Sequence, residues 1–299
     1  MNWVIRIPSS TSNLGAGFDS IGLALNLYLE LKVTQSETWE FIPVSDCLMD
    51  IPTGKENLVY QIAETVAKQF NYGELPPCRV EMQSDIPLAR GLGSSATATI
   101  AGIELANILL NLELSEEDKL SIATNIEGHP DNVAPSLMGG CVIGHFDYEV
   151  DWIKVPVEDV TFLAIIPNFE LKTKEARAVL PDSFSYQESV HASSIANVSV
   201  AAICQKNWRL LGKMMKKDLF HQPYRKKLVP HYEELEAFLE EDVFGTFLSG
   251  AGPTMIAIAS NATIEEKLSS WKEAYSHFEW LPLQVENEGL VSMKLNVSY

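Results

Sequence analysis

Positive charge is scarce in this sequence: 22 lysines and arginines stand against 40 aspartates and glutamates, a formal net charge of −18. Nucleic-acid binding rests on basic side chains neutralising phosphates, and attachment to anionic lipid does the same, so neither partner is expected. Paired cysteines are also missing. Cys47, Cys78, Cys141 and Cys204 stand far apart with no Cys-x-x-Cys spacing. That argues against a disulfide framework or a zinc site, and for reduced thiols in the cytoplasm. No apolar run approaches membrane-spanning length, and residues 1–7 lack a basic region followed by an apolar core, so no span or signal peptide is expected. Repeats, low-complexity tracts, the Gly-x-x-x-x-Gly-Lys-Ser/Thr loop, the protein-kinase motif set and the Gly-x-Ser-x-Gly elbow are absent too.

What is present is an ordinary globular composition, 46% hydrophobic and 21% charged over 299 residues, enough for two lobes. Residues 4–7 read as a short strand. Leu25, Leu27, Leu29, Leu31 and Val33 alternate with mostly polar partners, the mark of a half-buried strand. Residues 57–70 set Leu58, Ile62, Val66 and Phe70 on one helical face. Residues 79–85 alternate again. A helix apolar on most sides follows from Ser94 to about Asn111. Ser115 to Asp118 forms a capping box, and Gly128 would end its helix. Strands are predicted at 141–146, 162–166, 245–249 and 255–259, and helices around 186–206, 208–219, 230–241 and 263–277. Pro156, amid the scattered charges of 145–160, marks a boundary between lobes 1–155 and 156–299. Strands and helices mix without a βαβ rhythm, so the fold class is α+β.

The stretch Pro87-Leu-Ala-Arg-Gly-Leu-Gly-Ser-Ser-Ala-Thr-Ala-Thr99 carries the strongest chemical signal. Gly91 and Gly93 let backbone N–H groups approach an anion, and the helix opening at Ser94 adds unpaired N–H groups and its dipole. Together these suit a phosphate, and the two hydroxyls suit a Mg2+ ion. Taken alone, the same residues read equally well as a turn capping an ordinary helix.

Other polar segments are ambiguous one at a time. Pro8 to Asp19 is polar and glycine-rich and reads as a turn or as a ligand loop offering Asn13 and Asp19. Glu127-Gly-His129-Pro-Asp131-Asn132 offers Glu127 as a metal ligand beside a serine, and His129 as a ligand, base or structural histidine. Thr173-Lys-Glu-Ala-Arg177 and His221-Gln-Pro-Tyr-Arg225 each supply an arginine, and a pair would hold a carboxylate by bidentate hydrogen bonds. Ser249-Gly-Ala-Gly-Pro-Thr254 is a tight glycine turn that reads as a simple hairpin or a ligand contact.

The order of three of these segments, 8–19, 87–98 and 249–254, closely resembles the three motifs of the GHMP small-molecule kinases, across nearly the whole chain. Ser-Thr-Ser-Asn-Leu-Gly-Ala-Gly-Phe-Asp, His-Pro-Asp-Asn-Val-Ala-Pro, Thr-Lys-Glu-Ala-Arg and Gln-Pro-Tyr-Arg resemble the branch that phosphorylates the side-chain hydroxyl of L-homoserine. The resemblance implies an N-terminal lobe like the second domain of ribosomal protein S5, a ferredoxin-like C-terminal lobe, and a homodimer. It implies ATP on Pro87, Leu88, Ala89, Arg90, Gly91, Leu92, Gly93, Ser94, Ser95, Ala96 and Thr97, with Asn57 toward the adenine. Mg2+ would lie on Ser95 and Glu127, and Thr173 near the reacting phosphate. Asn13, Asp19, His129, Asn132, Arg177, Arg225 and Gly250 would line the amino-acid site, with Asn13, Asn132, Thr173 and Arg177 serving the reaction itself.

The chain departs from the mevalonate and galactose relatives, which place an aspartate where Asn132 stands; Ser10 and Thr11 replace the lysine of mevalonate kinases. No dedicated carboxylate base is therefore expected, and Asp131 is expected to point elsewhere. Glu127 lies only two residues before His129, closer than in some relatives. A sibling kinase acting on another alcohol, or a non-catalytic binder on the same scaffold, are the alternatives. Residues 290–299 are read as a candidate edge strand at a dimer interface.

Overall fold

The computed structural model describes residues 2–295. Its first strand, β1 (Asn2–Asn13), is longer than residues 4–7. The polar run expected to form a turn is its second half, and Ser9, Ser10, Thr11, Ser12 and Asn13 are all fully buried there. Small hydroxyl side chains fit between close layers, and they satisfy one another: Thr11 meets Ser249 at 2.8 Å and Ser136 donates to Ser10 at 3.1 Å. Only residues 14–16 turn the chain, helped by left-handed Asn13, Leu14 and Gly15. β2 (Gly17–Gln35) then runs back along β1.

β3 (Glu40–Pro43) lies parallel to β4 (Cys78–Ser84), which pairs antiparallel with β2. Between them α1 (Leu58–Gln69) starts at the Asn57 cap. α2 (Ser94–Leu110) is the buried central helix, and its one buried acid, Glu104, is matched by Lys119 at 2.7 Å. α3 (Glu116–Glu127) has the expected capping box on Ser115 and ends at left-handed Gly128. α4 (Val133–Met138) leads into the hairpin of β5 (Cys141–Phe146) and β6 (Val150–Val155). The boundary region thus holds a strand that the scattered charges concealed.

The second sheet begins with β7 (Thr161–Ile166), buried at every residue as its continuous apolar run requires. α5 (Thr173–Ala178), α6 (Tyr186–Cys204), α7 (Trp208–Met215), α8 (Gln222–Arg225) and α9 (Tyr232–Leu239) follow. β8 (Gly245–Leu248), β9 (Met255–Ala259), α10 (Asn261–Ala274) and β10 (Glu279–Leu283) complete an antiparallel sheet of order β10-β7-β9-β8. β11 (Val291–Lys294) returns to pair with β1 at the edge of the first sheet, whose order is β11-β1-β2-β4-β3 with β5 and β6 beyond β2. Residues 291–294 thus form an edge strand, and the rest of the expected stretch, 296–299, lies outside the described residues. The α+β class and the two-lobed arrangement hold. Among the described residues, no helix is long and apolar enough to cross a membrane.

Candidate active site

A cleft of about 490 Å³ runs along the N-terminus of α2. Gly93 caps the helix with no side-chain hydrogen bond, so the first-turn N–H groups face outward without an intrahelical carbonyl. Gly91 and Gly93 both have left-handed φ, +77° and +74°. Both are also hemmed in. A Cβ on Gly93 would lie 2.3 Å from Ser10 Oγ, and one on Gly91 would lie 2.3 Å from the Ser249 carbonyl oxygen. Ser249 Oγ in turn donates to the Gly91 carbonyl at 2.5 Å. The glycine loop is therefore clamped between β1 and the 249–252 turn, and the three sequence motifs form one body.

Leu88, Ala89, Gly91, Gly93, Ser94, Ser95, Ala96 and Thr97 line the cleft. Pro87, Arg90 and Leu92 are not among its lining residues. Leu92 is fully buried beneath the loop, and Arg90 turns to Glu170 at 3.3 Å. Beyond the loop the wall is apolar, built by Leu29, Leu48, Ile51, Val59 and Met82, a surface suited to a nucleobase. Those residues come from separate elements and carry no local signal. Asn57 borders this end, but its amide is engaged: Oδ1 accepts from Val59 N at 3.0 Å and Nδ2 donates to the Pro52 carbonyl at 2.8 Å.

Glu127, the last residue of α3, turns its carboxylate toward the start of α2. Its Oε1 accepts from Ser95 Oγ at 3.3 Å and from Thr99 Oγ1 at 2.9 Å. The structure so unites Ser95 with Glu127 and adds Thr99, one turn along α2 and unanticipated. An oxygen-only set beside a phosphate-sized cradle fits a hard cation such as Mg2+.

Asn13, Asp19, His129, Asn132, Arg177, Arg225 and Gly250 line the same cleft, as does Thr173. Asn13 Nδ2 donates to the Gly250 carbonyl at 3.2 Å while its Oδ1 accepts from Asp19 N at 3.1 Å. Asn132 accepts from Ser10 Oγ at 3.2 Å and donates to Ser12 Oγ at 2.9 Å. Asp19 adopts a left-handed φ of 55°, an uncommon backbone state of the kind that collects at functional sites. Arg225 is 2% exposed; its Nε donates to the Ala176 carbonyl at 3.1 Å and its Nη1 to the Gly250 carbonyl at 3.0 Å. Burial, with Arg177 nearby, lowers its pKa to about 10, and it remains charged near neutrality.

Asp131 does not point elsewhere. It lines the cleft, and its Oδ1 lies 2.5 Å from His129 Nδ1. The expectation failed because Pro130 and the kink before α4 bring residues 129, 131 and 132 to the same side. Burial pulls the His129 pKa down, but the bond to Asp131 and that carboxylate's charge outweigh it, and the net shift is upward. The cleft therefore holds two guanidiniums and two carboxylates.

Known proteins resemble this chain along nearly its whole length. Residues 57–140 match the GHMP kinases N terminal domain and residues 199–277 the GHMP kinases C terminal domain. The chain is 50% identical to homoserine kinase of Halalkalibacterium halodurans over 96% of its own length and 93% of the relative's. It is 47% identical to homoserine kinase of Bacillus velezensis over 97% and 94%. A solved structure from Listeria monocytogenes, 38% identical, superposes with a TM-score of 0.84, covering 98% of this chain and all of that one.

Proposed function

The chain belongs to the GHMP kinases, and from that premise we propose that it transfers the γ-phosphate of ATP to the side-chain hydroxyl of L-homoserine, giving O-phospho-L-homoserine and ADP. The observation that carries the acceptor is the charge balance in the cleft. Two guanidiniums, Arg177 and Arg225, face two carboxylates, Asp19 and Asp131, beside a phosphate-sized loop. A zwitterionic amino acid complements that pattern; a sugar or a carboxylate without an ammonium does not.

In this reading the arginines take the substrate carboxylate and Asp19 the ammonium. Asn13 keeps spare donor and acceptor capacity after its protein bonds. Asn132 keeps acceptor capacity alone, because its two N–H groups go to Ser12 and Asp131, and the two orient the hydroxyl toward the loop. The new bond from the hydroxyl oxygen to the γ-phosphorus forms as the bridging bond to ADP breaks, and the hydroxyl proton passes to a transferred phosphoryl oxygen and from there to solvent. Phosphoryl transfer has a loose transition state, so positioning and charge stabilisation supply most of the acceleration. Asp131 is held by His129 and serves charge balance rather than acting as a dedicated base. Thr173 lies on the wall where the transferred phosphoryl passes. Ser95 and Glu127 would hold Mg2+, which when bound neutralises charge between the β- and γ-phosphates. The same proposal includes a cytoplasmic homodimer built from lobes 1–155 and 156–299.

A coupled ADP-release assay across L-homoserine, mevalonate and galactose tests the reading, with phosphorus NMR of the product. Turnover with homoserine alone supports it. Turnover with another alcohol instead, or tight homoserine binding without turnover, overturns it.

A further inference from the structure

Phe18 has no part in the chemistry above, and it is not among the residues lining the cleft. Yet its ring lies within cation–π reach of both Arg177 and Arg225. The Arg225 guanidinium carbon stands 5.0 Å from the centroid of the Phe18 ring, and that of Arg177 stands 5.5 Å away. The ring is further stacked on the imidazole of His221, 5.3 Å between centroids and 18° between planes. His221 is itself tied into the core. It is fully buried, and its Nε2 bonds the Gly15 carbonyl at 2.8 Å, in the turn that opens the strand carrying Phe18. Asp218 fixes the same segment by accepting from the backbone N–H groups of Phe220, His221 and Gln222.

Two like charges must be held together here. Arg177 and Arg225 repel each other, and this repulsion is one of the causes that lower the Arg225 pKa. Asp19 neutralises one of them through its bond to Arg177. Among the described residues Arg225 has only carbonyl oxygens as hydrogen-bond acceptors, Ala176 and Gly250. An aromatic face is a fixed, neutral surface of negative potential, and it attracts both guanidiniums without itself needing a counter-charge. A ring adds no hydrogen-bond acceptor, so the guanidinium N–H groups not already bonded to Asp19, Ala176 and Gly250 stay available to a substrate carboxylate.

We propose that Phe18 is the positioning residue that holds Arg177 and Arg225 together as a carboxylate clamp, with the His221 imidazole as its fixed backing. The proposal rests on the homoserine reading above. It makes Phe18 a determinant of affinity for the carboxylate-bearing acceptor, and irrelevant to the nucleotide.

The test compares Phe18→Leu with Phe18→Tyr, which keeps the ring. Both are measured in full acceptor and ATP titrations beside the wild-type chain. Loss of two cation–π contacts in F18L is expected to raise the homoserine KM about tenfold. The ATP KM should stay within about twofold, and F18Y should restore most of the acceptor affinity. Equal rises in both KM values, an unchanged homoserine KM, or a Tyr variant as poor as Leu each overturn the proposal. If F18L fails to fold, as judged by its melting temperature, Phe18→Met fills the space without a ring and is held to the same outcomes. Wild-type enzyme that does not phosphorylate homoserine would fault the functional reading instead, and that control is read first.

Discussion

Arg177 grips Asp19 with both arms of its guanidinium, Nη2 to Oδ1 at 2.8 Å and Nη1 to Oδ2 at 3.2 Å, across 158 residues of chain. The two side chains are 39% and 35% exposed. A pair that open to solvent contributes little to stability, on the order of 1 kcal/mol or less. Its value lies elsewhere. In the proposed reading both charges are kept pre-oriented, and each is exchanged for the opposite charge of an incoming zwitterion.

Asp19→Asn should therefore leave the melting temperature almost unchanged and lower kcat/KM for homoserine about a hundredfold, the scale of truncating a charged hydrogen-bond partner. The ATP KM should not move. A large fall in melting temperature with intact homoserine affinity would make the pair a structural strut.

Arg225 combines two roles. Arg225→Ala should raise the homoserine KM strongly, and should also destabilise the fold by about 1–3 kcal/mol, because the Ala176 and Gly250 carbonyls lose a buried donor. Arg225→Lys keeps the charge and loses the fork. It should recover much of the stability but little of the acceptor affinity. Titrations with each substrate beside thermal melts separate the two effects, and a Lys variant with normal homoserine KM would remove the fork from the binding account.

Glu127→Gln should shift the Mg2+ dependence of turnover to higher concentration, and Ser95→Ala should shift it in the same direction. Each removes one oxygen ligand or weakens it. Direct titration of Mn2+ binding in the presence of a non-hydrolysable ATP analogue gives a readout besides activity. Wild-type Mg2+ dependence in both variants would place the cation elsewhere.

Gly93 tests the interlock of the three motifs. Gly93→Ala puts a Cβ 2.3 Å from Ser10 Oγ at a φ of +74°. Gly128→Ala puts one at a φ of +86° with nothing within 4 Å. Backbone strain alone costs Gly128→Ala about 1 kcal/mol. Gly93→Ala should lose more stability than that, and its ATP KM should rise, because the loop must shift off β1. Equal melting temperatures for the two variants would mean that the loop yields freely.

Much of this site was legible in sequence, for reasons that vary by residue. The capping box on Ser115 and the Gly128 stop are local chemistry, and the helix stands where they put it. The glycines of the phosphate loop announced a close approach, though part of what approaches is Ser10 and Ser249 rather than a ligand. Residues 9–13 read as a turn or a ligand loop and proved to be buried strand, because polarity signals exposure only on average. In this strand hydroxyls are buried against hydroxyls. The apolar wall of the cleft was invisible: Leu29, Leu48, Ile51 and Met82 are ordinary apolar residues until the fold gathers them. Phe18 was hidden differently, as an unremarked residue between Gly17 and Asp19 whose partners are more than 150 positions away.

The buried His221 gives stability a pH dependence whose sign can be worked out. Its Nε2–H donates to the Gly15 carbonyl, and its Nδ1 is buried without a hydrogen-bond partner, so the folded ring is neutral. Burial lowers its pKa below the ordinary 6.5, and the nearby Asp218 only partly offsets this. The unfolded chain then binds more protons than the folded one at mildly acidic pH. Stability contributed by this group is present above about pH 6.5 and is lost as pH falls toward the folded value, with a limiting slope of about 1.4 kcal/mol per pH unit. His129 works in the opposite direction, since its pKa is raised, so the wild-type curve alone mixes the two. The difference between wild type and His221→Gln isolates the buried ring. Denaturant melts from pH 7.5 to 5 should show the wild-type chain losing stability on acidification more steeply than the variant. Parallel curves would mean that folding leaves the His221 pKa unchanged, and a wild-type chain that gains stability on acidification relative to the variant would mean that His221 is protonated in the fold, with Asp218 as its counter-ion.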